Sequence, residues 1–170
     1  MVVKKYIAEN LSKLDKKFSE SLVSPDSDLP VYFSKLATIE YCGWLEETMD
    51  GIVFAYAKKR LKTQSFRDIL KGTIANTYGF QYKKHFRPML VHVVGIVRCE
   101  RIQSALEKAG DLATLESELS TYVVHRNNAA HTHIQNIASY PSPSATLGSM
   151  CKVYPILKKI YTMRKDGRYC

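Results

Sequence analysis

A chain of 170 residues with 45% apolar side chains is long enough for one domain that buries roughly 70% of its unfolded surface. No run approaches the roughly 18 apolar residues of a membrane span, and the opening MVVKKYIAENLSKLDKK puts charges where a secretory signal needs an uninterrupted apolar segment. Lys and Arg outnumber Asp and Glu by 25 to 16, a net +9 that favours a polyanionic partner, nucleic acid first, with a surface tuned for solubility as the alternative.

The pattern along the chain is helical. Residues 3–22 carry Tyr6, Ile7, Leu11, Leu14, Phe18 and Leu22 at helical spacing. Ser24-Pro25-Asp26-Ser27-Asp28 interrupts it, with Asp28 placed to cap a second helix and Pro30 in its first turn. That helix is expected over 29–62, with a stripe of Tyr41, Leu45, Met49, Ile52 and Tyr56; Gly43 and Gly51 would allow a bend or a close helix contact. Ser65 is expected to cap a short helix through Ile74, followed by a turn at Asn76-Thr77-Tyr78-Gly79. Pro88 opens a third substantial helix, running to about Lys108 and ended by Ala109-Gly110-Asp111, and the same Gly-Asp starts a helix over Leu112–His133. Residues 139–145 read as a loop and 147–163 as a last helix with Met150, Val153, Ile156, Leu157, Ile160 and Tyr161. No internal repeat and no long strand-period segment appears. The expectation is an all-α bundle of four to five main helices in a single domain: residues 1–28 as N-terminal helix and loop, 29–165 as core, 166–170 as tail.

Charge and cysteine placement narrow the setting. Cys42, Cys99, Cys151 and Cys170 show no CxxC spacing, so a reduced, cytoplasmic thiol set is the simpler reading. The basic excess falls in Lys58 through Lys71, in Lys83, Lys84 and Arg87, and in a tail whose six cations between Lys152 and Arg168 face one Asp166.

The sharpest feature is Arg126-Asn127-Asn128-Ala129-Ala130-His131. Leu112, Leu115, Leu119, Tyr122, Arg126, Ala129 and His133 fall at alternating steps of three and four, which marks a packing seam. Arg126 thus stands where an apolar residue is wanted, and a guanidinium there is costly without an anionic partner or ligand. Such a local conflict is where a functional site is expected. Arg-x4-His alone is weak, since eight arginines and five histidines give roughly 0.2 chance occurrences. It occurs twice. The first, Arg87 to His92, begins with Pro88 and runs through a Leu/Val-rich turn, and reads as structural. In the second, Asn127 and His131 lie four apart on one helix face beside Arg126, with Ala129 and Ala130 leaving room for close approach.

An imidazole shuttles protons near neutrality, a guanidinium matches a phosphate, and an asparagine orients a hydroxyl or the imidazole. Together they suit attack of an RNA 2′-hydroxyl on its own 3′-phosphate, with His131 as base or acid and Arg126 stabilising the developing charge. That route needs no metal or other cofactor, leaves a 2′,3′-cyclic phosphate and a 5′-hydroxyl, and spares DNA. The structural alternative is an Arg/His hydrogen-bond network within the seam. A metal reading of His125, His131 and His133 is disfavoured, because residues two apart on a helix point about 200° from each other. Tyr78, Tyr82, Tyr161 and Tyr169 are candidates to stack bases, with core or rim packing as the commoner use.

The hexad, on the penultimate helix of a small α-bundle, resembles the Arg-x4–6-His signature of HEPN domains, in which a polar residue, often Asn, follows the Arg as Asn127 does here. Glu40-Tyr-Cys-Gly-Trp-Leu-Glu-Glu47 is similar to the first core helix of the freestanding RiboL-PSP-HEPN group. The resemblance spans roughly residues 30–165. It implies a HEPN-like bundle and metal-independent endoribonuclease activity in toxin–antitoxin or phage-defence settings. It also implies an RNA substrate, a homodimer with both hexads in one cleft, and a cognate antitoxin or regulator as a further partner. Residue by residue it gives Arg126, Asn127 and His131, with Glu46 or Glu47 as the acidic residue that often completes the site from the facing helix. One subgroup carries a modifiable Tyr two residues after the His, and His133 occupies that position here. The other reading of the same residues is a non-catalytic HEPN-like module that binds RNA or protein.

Overall fold

Residues 29–57 carry apolar side chains on every face, and a helix of that kind must be covered from several sides. A computed structural model of the chain describes residues 4–23, 28–58, 60–131 and 139–166. Among them are seven α-helices, one π-helical turn and no strand: α1 (Lys5–Ser21), α2 (Leu29–Ala57), α3 (Gln64–Ala75), the π turn (Tyr82–Phe86), α4 (Arg87–Val94), α5 (Ile96–Lys108), α6 (Asp111–His131) and α7 (Pro143–Met163). The all-α bundle is present, with more helices than four to five. None of them is long and apolar enough to cross a membrane.

α2 is the axis, packed by α1, α4, α6 and α7. Its stripe of Tyr41, Leu45, Met49, Ile52 and Tyr56 is buried throughout. Two exposed-headed ion pairs, Lys152 to Glu118 and Lys159 to Asp111, each 2.7 Å, set α7 antiparallel to α6. The Tyr56 hydroxyl donates to the Ile160 carbonyl at 2.8 Å, which ties the end of α2 to α7 without leaving a buried polar atom unpaired.

The differences from the expected elements have local causes. α2 stops at Ala57 rather than 62, because the Arg60 and Leu61 amides both turn back to the Ala57 carbonyl and Thr63 is extended ahead of α3. No Gly or Pro marks that stop. Asp28 occupies the N-cap of α2, but its backbone is already helical and its side chain makes no capping bond. Gly43 and Gly51 face open space, so neither mediates a close helix contact. The helix expected from Pro88 to Lys108 is two helices, divided at Gly95 (φ 78°, ψ 164°), a conformation that side-chain-bearing residues rarely adopt. Before it, the Phe86 amide reaches the Gln81 carbonyl five residues back, and His85 Nδ1 accepts the Gln81 amide at 3.1 Å. The His85 ring lies 2.7 Å from where a Cβ on Gly79 would stand, so that turn also requires glycine. α7 begins four residues earlier than expected, with the Ser142 hydroxyl accepting from the Ala145 amide and Pro143 in the first turn.

Candidate active site

Tyr122 fixes where the end of α6 lies against α2. Its ring meets Tyr41 edge-on at 4.6 Å, and Tyr41 in turn stacks on Trp44 at 5.8 Å. The Cys42 thiol donates weakly to the Tyr122 carbonyl at 3.8 Å. With Leu112, Leu115, Leu119, Tyr122 and Ala129 buried, the seam faces the core as its spacing requires. Arg126 is the exception.

One turn beyond Tyr122, the Arg126 side chain leaves the core at 44% exposure and its Nη2 lies 3.6 Å from Glu46 Oε1. That is an ion-pair distance rather than a hydrogen bond. The anionic partner demanded by a guanidinium at a seam position is therefore Glu46, whose side chain is 34% exposed although its Oε1 is buried. Glu47, one residue on, is exposed and points elsewhere on the helix. Asn127, Asn128, Ala130 and His131 are all exposed at the end of α6. The site thus holds a guanidinium oriented by Glu46, with an exposed asparagine about 100° and an exposed imidazole about 140° around α6 from it, each open to a phosphate from solvent. Sharing the charge with Glu46 steers Arg126 while leaving most of its N–H donors outward.

His125 is not part of that open set. Its ring packs edge-on against Tyr122 at 5.8 Å, and its buried Nδ1 has no hydrogen-bond partner among the described residues. His133 lies outside the described residues. No three His, Cys, Asp or Glu side chains converge among the described residues as metal ligands would. At the other Arg-x4-His, the Arg87 guanidinium donates to Gln103 Oε1 at 3.5 Å while His92 is exposed, so that pair forms no joint pocket. Of the tyrosines, Tyr78 is exposed, Tyr82 is core and Tyr161 lies under the Arg164 guanidinium.

Two residues beside the site were not singled out from the sequence. Burial pushes the Cys42 thiol up to about 12, with the Arg126 charge opposing the rise, so Cys42 stays protonated and is no nucleophile at neutral pH. Asp50, one turn beyond Glu46, is pushed up to about 6 by burial and then by the neighbouring charges of Glu46 and Glu47. The four-residue spacing from Glu46 to Asp50 was visible in the sequence. The partial burial that raises Asp50 was not.

A carboxyl with a higher pKa in the fold than in the unfolded chain binds its extra proton in the folded state. Its stabilising contribution is present at low pH and is lost as pH rises through about 6. Asp50→Asn is expected to stabilise the protein at pH 7.5 by about 1 kcal/mol, after discounting the full shift for solvent screening. Below about pH 3, where Asp50 is protonated in both states, the gain should vanish. Urea melts at the two pH values measure it, and an equal gain at both would refute the assignment.

The chain matches no protein-family model, no curated protein and no solved structure.

Proposed function

We propose that the protein is a metal-independent endoribonuclease of HEPN type, acting in the cytoplasm as a toxin or phage-defence effector under a cognate antitoxin or regulator. The observation that carries this reading is the pairing of Arg126 with Glu46 across two helices while Asn127 and His131 are exposed on the same end of α6. In the reaction, a base takes the proton of the 2′-hydroxyl and the 2′-oxygen bonds to phosphorus. The bond to the 5′-oxygen then breaks, and an acid returns a proton to it. Arg126 stabilises the charge that gathers on the non-bridging oxygens, and Asn127 orients the hydroxyl or the imidazole. Among the described residues, the hexad offers one open imidazole, whereas the reaction needs a base and an acid.

A homodimer would supply both. The outer face of α2 supports that arrangement, because Tyr32, Leu36 and Ile39 are 47%, 44% and 43% exposed at steps of four and three. Two such stripes would cover each other on the helix that carries Glu46.

The test is incubation of the purified chain with total RNA and with DNA in EDTA, followed by end-group analysis. Cleavage of RNA alone, leaving cyclic phosphates and 5′-hydroxyls, is the expected result. Intact RNA, or cleavage that EDTA abolishes, would replace this reading with the non-catalytic binding module.

A further inference from the structure

A cavity of about 1130 Å³ opens where the last turns of α2 and α7 meet α3. Its walls bring together two basic stretches that lie about a hundred residues apart in the chain. Lys58 and Arg60 follow the end of α2, Arg67 and Lys71 lie on α3, and Arg164 and Lys165 follow the end of α7. Among the described residues, no carboxylate lines it. Six cations around one concavity repel each other, and they are kept together only by the fold that positions them.

Some of these charges are used internally. Arg67 donates through Nε and Nη2 to the Leu61 carbonyl, Lys71 pairs with Asp68 at 3.3 Å, and Arg164 donates to the Tyr161 carbonyl and hydroxyl while lying 3.6 Å over its ring. Lys58, Arg60 and Lys165 have no carboxylate within ion-pair distance among the described residues. The half-exposed Phe54 ring supplies an apolar wall beside them. α3 roofs the cavity while burying only Leu70 and Ile74, so it is the element least committed to the core. Cations for phosphates and an aromatic face for a base are the chemistry of a single-stranded nucleic acid. The volume exceeds the roughly 300–1,000 Å³ of a site for one small ligand.

We infer that this cavity binds the phosphate backbone of a single-stranded RNA segment at a distance from the hexad. The inference deepens the ribonuclease reading and rests on it for the identity of the strand. Glu46 and Phe54 are eight residues apart on α2, about 12 Å along the axis and about 80° around it. Glu47 and Asp50 lie between them. The acidic pair separates two binding places rather than joining them into one continuous groove. The cavity therefore grips a flanking part of the RNA and adds affinity without touching the bond that breaks.

The experiment measures anisotropy of a labelled single-stranded RNA of about ten nucleotides, within the range such grooves take, on the His131→Ala protein so that nothing is cut. Adding Lys58→Gln and Arg60→Gln should weaken binding about tenfold at 0.1 M salt and reduce the salt slope by about 1.4, roughly 0.7 for each phosphate that is no longer neutralised. Lys13→Gln with Lys108→Gln removes the same charge outside the cavity and should change neither by as much. Equal weakening by the two pairs would overturn the inference, as would displacement of the strand by a nucleoside triphosphate at equal concentration. On the His131→Ala protein with the cavity intact, bound RNA should protect Lys58 and Lys165 from acetylation, and unprotected lysines would overturn it without any cavity variant having to fold. Binding at the cavity with no cleavage in any form would sink the ribonuclease reading and leave this one standing.

Discussion

His131→Ala is expected to lower RNA cleavage by about 10²- to 10⁴-fold, the usual contribution of a positioned acid or base. The melting temperature should not move, because the imidazole is exposed at the end of α6 and makes no hydrogen bond among the described residues. That combination separates a chemical role from a packing one. Arg126→Ala is expected to cost about 10²- to 10³-fold through lost stabilisation of the phosphoryl charge. It should also destabilise modestly, because Glu46 Oε1 is buried and Arg126 is its only ion-pair partner among the described residues. Arg126→Lys keeps the charge but not the planar fork, so it should recover stability better than rate. Rates measured on a defined oligonucleotide, alongside thermal melts, decide the matter. Full activity in His131→Ala would remove the histidine from the reaction.

Leu45→Ala should have the largest effect on stability, about 2–5 kcal/mol. Leu45 is fully buried in the stripe of α2 that the surrounding helices cover, and truncation leaves a void that close-packed neighbours fill only in part. At about 2–4 °C per kcal/mol for a domain of this size, the melting temperature should fall by roughly 10 °C. Ile39→Ala, on the outer face of the same helix, should stay within about 0.5 kcal/mol in the monomer. A large loss there that shrinks on dilution, as the unaltered protein itself dissociates, would instead indicate that a second copy covers the stripe. Denaturant melts at two protein concentrations distinguish the cases.

The apolar periods of α2, α6 and α7 were legible because each is a property of one helix. Spacing alone placed Leu45, Leu119 and Ile160 inward, and nothing in the packing reversed it. The division at Gly95 was not legible, since the apolar residues continue on both sides and a glycine inside a helical pattern is usually tolerated. The early stop of α2 was hidden for a similar reason: the Ala57 carbonyl takes two returning amides without any turn-forming residue to announce it.

The hexad shows the same boundary. By itself the sequence determined that Arg126 breaks an apolar seam, and that Asn127 and His131 share a face beside it, because positions on one helix are fixed by its 3.6-residue turn. Only the tertiary structure decided which glutamate answers the guanidinium. Glu46 and Glu47 are equivalent in type and neighbours in sequence, but about 100° of helix rotation separates them, and Glu46 lies one turn after Cys42, which meets Tyr122 of α6. The basic cavity likewise exists only in three dimensions. Lys58 and Lys165 are ordinary surface cations in the sequence, and packing brings the ends of α2 and α7 together to make them walls of one site.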